Sequence, residues 1–429
     1  MARRVWVIGG IGVAIVALVS TSSSSDQTAA KSASTPQETA VRQTTSSEPT
    51  TTTTPPTSTT TTIADTTTTE SSTTTTTTTP PSTTTTFPQS HGTFNGGAFD
   101  AVIAAATVDV GDISVGAAVL RDGTVLHTAA LGMESPFESK AATTKTQFRL
   151  ASVSKMLAAV AIMQLVNEGS IQLDEPFAGQ LGLDGPFADP RVATVTVREL
   201  MSHTSGFGAA HGIFFGHGVD TWRQAADNAL GQTLLSDPGT AFKYSNTNFC
   251  LLGLLIESAT GQSFETAIRE RVLNPIGISA HLAPTFDTAS GDALHASSPG
   301  RNYMETLGPA GGWVATPLDV AKLADALRAE SPGPHLLDAL TVDKMRVSVT
   351  VPVEIPPPAN GWSYGLGLML FGDGSWGHTG TIESTHAVVV NRPDGLTVVV
   401  LVSGKEPDNT DDLLPVIDLA VVAASTPAG

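Results

Sequence analysis

Ser152-Val153-Ser154-Lys155-Met156-Leu157-Ala158-Ala159-Val160-Ala161-Ile162-Met163-Gln164-Leu165-Val166-Asn167 is apolar on nearly every face and runs out at Gly169. That pattern predicts a helix buried on all sides, with the glycine as its stop. The segment opens with a serine and a lysine three positions apart, which share one helical face. A helix starting near Ser152 puts the hydroxyl by the positive end of the dipole. Lys155 then reaches it from one turn deeper. Burial disfavours an ammonium charge, so a neutral Lys155 can accept the hydroxyl proton. A charged Lys155 would instead lower the pKa of a neighbouring tyrosine. A Ser-x-x-Lys pair in a serine-rich chain is a weak signal alone.

The elements around this helix follow from period and turn chemistry. Residues 113–120 are rich in Val, Ile and Ala, Asp122-Gly123 makes a turn, and 125–129 return, which predicts a β-hairpin. A second pair closes the chain: 386–390, the turn Arg392-Pro393-Asp394-Gly395, then 396–402, followed by a helix over 411–424. Thr196-Val197-Arg198-Glu199 is a capping box opening a short helix. Strands at both ends with helices between them give an α+β fold: an antiparallel sheet built from N- and C-terminal strands, and a central helical lobe. A cleft between sheet and lobe is the expected site.

Two more motifs fall into that cleft. Tyr244-Ser245-Asn246 follows a Pro238-Gly239 turn and precedes an apolar helical pattern from Phe249, which places it on a loop at a helix entrance. Tyr244 can act as a phenolate base or relay a proton to the leaving group. Asn246 can bond Lys155 and a substrate amide. The plainer alternative is that Ser245 or Asn246 merely caps the helix. Gly377-His378-Thr379-Gly380-Thr381 precedes an apolar strand and is expected on a strand edge facing the cleft. Its glycines permit close backbone approach. The N–H groups of Thr381 and Ser152 would form an oxyanion hole, each donor worth about 2.7–4 kcal/mol. His378 would add polar or positive character beside the leaving group. His203, His211 and His217 cluster in a Gly-rich stretch, but their spacing fits no helical ligand pair and no acidic residue accompanies them. No metal or other cofactor is expected.

The net charge of −18 argues against a nucleic-acid partner. The lone Cys250 permits no disulfide within the chain, and its apolar neighbours predict a buried thiol. Arg3 and Arg4 precede an uncharged run over 5–19, so 1–19 reads as a signal peptide or an N-terminal anchor. Residues 20–90 are rich in Thr, Ser and Pro and read as a disordered stalk with too little apolar surface to offset its ordering entropy. Residues 91–429 form the folded domain. The expected location is secreted or extracytoplasmic, with the membrane touched only through the N-terminal segment.

With its three motifs in order, the chain resembles the serine β-lactamase and penicillin-binding superfamily. It is most similar to the class C β-lactamase-like family, which includes secreted D-alanyl-D-alanine carboxypeptidases, esterases and D-aminopeptidases. Beyond the motifs, the likeness rests on Phe148-Arg149-Leu150-Ala151, Leu173-Asp174-Glu175-Pro176, Leu200-Met201-Ser202-His203-Thr204-Ser205-Gly206, Asn274-Pro275-Ile276-Gly277-Ile278, Gly311-Gly312 and Tyr364-Gly365-Leu366-Gly367. The resemblance implies that Ser152 is the acylated nucleophile and that Lys155 and Tyr244 share the base work. Asn246, His378, Thr379, Gly380 and Thr381 would bind substrate. The first-choice activity is a carboxypeptidase acting on cell-wall peptides, with an esterase or β-lactamase as alternatives. The substrate is thus a peptide or small molecule, and the protein is expected to be a monomer. A binding module that kept the fold and lost the chemistry is the rival from another class. Two departures stand out. Met369 occupies the place where such carboxypeptidases carry an arginine for a substrate carboxylate, and Ile382-Glu383-Ser384 replaces a usual glycine and aromatic. An apolar group at Met369 favours an ester; a positive one would favour a peptide.

Overall fold

A computed structural model describes residues 93–216, 218–349 and 361–425, and the backbone of 5–7 and 16–18. The chain divides into two units, Met1–Thr86 and Phe87–Gly429. In the first, Val5–Val7 pairs antiparallel with Val16–Leu18. The expected leader and stalk otherwise lie outside the described residues, as does His217. Among the described residues, no helix is long and apolar enough to cross a membrane.

The second unit is built on an antiparallel sheet of eight strands. In chain order they are β1 (Ser114–Arg121), β2 (Thr124–Ser135), β3 (Lys140–Ala141), β4 (Ser363–Tyr364), β5 (Met369–Leu370), β6 (Trp376–Ile382), β7 (Thr385–Asn391) and β8 (Leu396–Ser403). Their spatial order is β3-β2-β1-β8-β7-β6-β5-β4. The two ends of the domain therefore meet in the middle of the sheet, where β8 pairs with β1 from Leu396↔Arg121 to Ser403↔Ser114. Both hairpins form as expected, and the fold is the α+β architecture read from the sequence.

Side chains alternate across each strand, and the two faces enter different cores. Val115, Ala117 and Val119 of β1, with Val398, Val400 and Val402 of β8, meet helices α1 (Gly96–Ala106) and, at the C-terminus, Leu413–Ser425. Ala118, Leu120, Val399 and Leu401 face the helical lobe. Covering both faces explains why β8 is apolar at nearly every position. The lobe is organised around α2 (Ser154–Asn167) and α3 (Asn246–Thr260). Helix α2 is buried almost throughout. It begins two residues later than expected, because Ala151–Val153 forms a 3₁₀ turn ahead of it. The capping box at Thr196 and Glu199 is present, with both reciprocal bonds formed.

Candidate active site

The 3₁₀ turn carries Ser152. The residue before it, Ala151, is held at φ 46°, a left-handed conformation that costs an alanine of order 1–3 kcal/mol. Helix α2 then places Lys155 inside the protein, with no exposed surface. Its Nζ lies 3.1 Å from Ser152 Oγ, 2.8 Å from Asn246 Oδ1 and 2.7 Å from the Ala310 carbonyl. Two of these three partners can only accept. A neutral amine has two hydrogens and one lone pair, so the hydrogens go to Asn246 and Ala310 and the lone pair is left for the Ser152 hydroxyl. Desolvation lowers Lys155 to about 7, which makes that neutral form accessible near neutrality.

Tyr244 sits over the same amine, with Lys155 Nζ 4.9 Å from its ring centroid. Its hydroxyl is buried, and desolvation pushes its pKa up. The Ser152 hydroxyl offsets part of that shift, although no hydrogen bond of normal geometry forms between them. The phenol is therefore protonated at rest, while Lys155 is poised. Ser245 stands at the N-cap position of α3 but caps nothing with its side chain; its Oγ donates to the Gly208 carbonyl. Asn246 begins the helix and faces Lys155.

The third motif lies within β6, whose alternation divides it. His378 and Gly380 face the lobe, paired across from Val389 and Ala387. A Cβ on Gly380 would stand 2.7 Å from both the Leu150 carbonyl and the Ser152 amide nitrogen. Only glycine lets the strand pass so close to the nucleophile. Thr379 and Thr381 point to the opposite face, where Thr379 Oγ1 donates to Asp411 Oδ1 at 2.9 Å and Thr381 Oγ1 meets Thr410 Oγ1 at 2.5 Å. The Thr379 side chain is thus turned out of the cleft, contrary to its expected contact with substrate. The motif is also not on an edge strand, since β5 lies outside it. However, β5 covers only Trp376 and Gly377. The Thr379 N–H points to that outer side and donates to Met369 Sδ at 3.3 Å. By alternation the Thr381 N–H points the same way, to an edge that β5 does not cover.

His378 also departs from expectation. It is 1% exposed; its Nδ1–H donates to the Thr379 carbonyl at 2.6 Å and its Nε2 lies 2.9 Å from Tyr364 Oη. Burial and the Lys155 charge lower its pKa to about 3. It brings no positive charge to the site. Sequence reasoning missed two further residues here. His203, inside the quoted Ser-His-Thr-Ser-Gly stretch, is buried with its ring centroid 4.2 Å from that of Tyr244. Its Nδ1 accepts from the Ser245 N–H and Asn248 Nδ2, both at 3.2 Å. Tyr364 was visible only as part of a glycine-rich string. Of the other clustered histidines, His211 is exposed beside Phe215. Cys250 is buried as expected, its thiol pushed up to about 12.

Residues 99–422 match the family model described as Beta-lactamase. The chain is 36% identical to Penicillin-binding protein 4 of Amycolatopsis lactamdurans over 162 residues, 38% of this chain and 42% of that protein. It is 29% identical to Esterase EstB of Burkholderia gladioli over 336 residues, 66% of this chain and 84% of the esterase. Its fold is also that of the octameric penicillin-binding protein homologue from Pyrococcus abyssi, at a TM-score of 0.65 and 22% identity, covering 76% of this chain and 77% of that one.

Proposed function

The chain belongs to the beta-lactamase family of serine hydrolases, and on that premise we propose that it cleaves carboxylic esters with an apolar group through an acyl-Ser152 intermediate. The observation that carries this is the residue type at 369. A methionine stands in the place of the carboxylate-binding arginine that a free C-terminal substrate would need, and its thioether is buried against Thr379 N–H and Oγ1, on the face turned away from the cleft. Arg301, near the far end of β6, is tied to Glu383 at 2.9 Å.

In this reading the Ser152 hydroxyl gives its proton to the Lys155 lone pair as its oxygen adds to the ester carbonyl. The Ser152 and Thr381 N–H groups hold the oxyanion. Collapse breaks the C–O bond, and the proton returns from Lys155 to the departing alkoxide by way of the Tyr244 phenol. Water then attacks the acyl-enzyme by the reverse route and releases the acid. Asn246 holds Lys155 and faces the acyl group.

A second reading, a D-alanyl-D-alanine carboxypeptidase on cell-wall peptide, is supported by the Tyr244-Ser245-Asn246 and His378-Thr379-Gly380 pair. The basic and then apolar start of the chain supports an extracytoplasmic location for either activity, and we take the protein to be a monomer. The deciding experiment compares aryl esters of apolar acids, a D-alanyl-D-alanine peptide and penicillin, with Ser152→Ala alongside. Ester turnover that vanishes in the variant is expected. Release of D-alanine with the esters inert would move the conclusion to the carboxypeptidase.

A further inference from the structure

We infer that Tyr364 is a positioning residue for acylation, and that His378 acts through Tyr364 on Tyr244 and makes no contact with the leaving group. The inference rests on the acyl-Ser152 reading and assigns a task to two side chains that the reaction scheme leaves unused. The direction of the hydrogen bonds is fixed by chemistry. The Thr379 carbonyl can only accept, so His378 carries its proton on Nδ1, and its bare Nε2 must accept from the Tyr364 hydroxyl. Both residues are buried, at 1% and 3% exposed.

What Tyr364 does with that anchor is seen on its other side. Its ring stands edge-on to Tyr244, at 85° with centroids 6.1 Å apart, and 4.8 Å from the His203 ring. His203 in turn lies against Tyr244. Among the described residues the Tyr244 hydroxyl makes no hydrogen bond of normal geometry, only the looser approach of the Ser152 hydroxyl. Its position opposite Ser152 is therefore set chiefly by ring packing, through Tyr364, His203, the more distant His378 ring at 6.5 Å and the Lys155 amine beneath it. The hydrogen bond from Tyr364 to His378 locks one wall of that box. Such a device alters the rate of the step that uses Tyr244 and leaves substrate binding alone.

The test follows turnover of an unactivated alkyl ester, whose alkoxide needs the proton that Tyr244 relays, resolved into a maximal rate and a half-saturation concentration. Labelling of Ser152 by an alkyl fluorophosphonate is read by intact mass alongside. Tyr364→Phe keeps the ring and removes only the anchor. We expect its maximal rate to fall about tenfold with half-saturation within about twofold, the signature of a lost transition-state interaction. His378→Gln presents an oxygen near the Nε2 position and should stay within about threefold of wild type; His378→Leu should fall as far as Tyr364→Phe. The double variant should fall no further than either single one, since the two act as one unit. Wild-type ester turnover by Tyr364→Phe, or losses that multiply in the double variant, would overturn the inference and leave the acyl-serine reading standing. A wild-type protein unlabelled at Ser152 would overturn both. Should His378→Leu not fold, Tyr364→Phe against His378→Gln still decides.

Discussion

Lys155 shows how much one buried side chain can settle. Its amine touches the nucleophile, an amide oxygen and a backbone carbonyl, a set of partners that accommodates the base form, and desolvation brings that form within reach. The sign of the pH dependence follows. Its pKa is lowered from 10.5 to about 7, so below that value the amine is protonated and cannot accept. We predict that kcat/KM for an aryl ester rises with pH and levels off above an inflection near 7. A profile flat from about pH 5 to 9 would remove Lys155 from the role. Asn246→Leu takes away one acceptor of the amine hydrogens, and we expect a loss in kcat/KM of about tenfold or more, matching an unmade bond to a buried polar group. The partnership of Ser152, Lys155, Tyr244 and Asn246 was legible because short motifs carry it. The neutrality of His378 was not, because it comes from burial and from Lys155 nearby in space. Tyr364 and His203 escaped for the same reason: nothing local marks a ring as the wall of another ring's pocket.

Elements set the distances between those residues, and strand β6 is the most constrained of them. Gly380→Ala would bring a methyl against two backbone groups that cannot yield. We expect hydrolysis to fall by about two orders of magnitude, in line with losing an oxyanion donor, with circular dichroism unchanged. Retained activity would mean that the strand and the nucleophile need not approach so closely. The hairpins were readable because alternation and Asp-Gly turns are local signals. The two-residue strands β4 and β5 have no period to read, and only the pairing of β5 to β6 and of β4 to β5 identifies them. That is why the motif was expected at an edge. Asp112, just ahead of β1, offers a stability test. Burial raises its pKa to about 6, so the folded state favours the protonated form, and stability is lost as pH rises through that value. Asp112→Asn should reduce the fall in Tm between about pH 5 and 7. An identical fall in both proteins would count against it.

At the scale of the whole molecule, the C-terminal helix serves the sheet more than the chemistry. Ile417 is fully buried in the cluster that α1 and Leu413–Ser425 share with the sheet. Ile417→Ala should cost about 2–5 kcal/mol of stability in denaturant unfolding, with kcat unchanged; a large fall in kcat would tie that layer to the reaction. The order of assembly is a different matter. The sheet joins its first strand to its last, and the nucleophile waits for β6 to arrive beside it. Pairings so far apart in sequence form late. A ribosome making this protein exposes Ser152 and Lys155 long before it has made the strand that completes their site. The hydrolase is therefore inert for most of its synthesis, and every chain cut short before β6 should stay so.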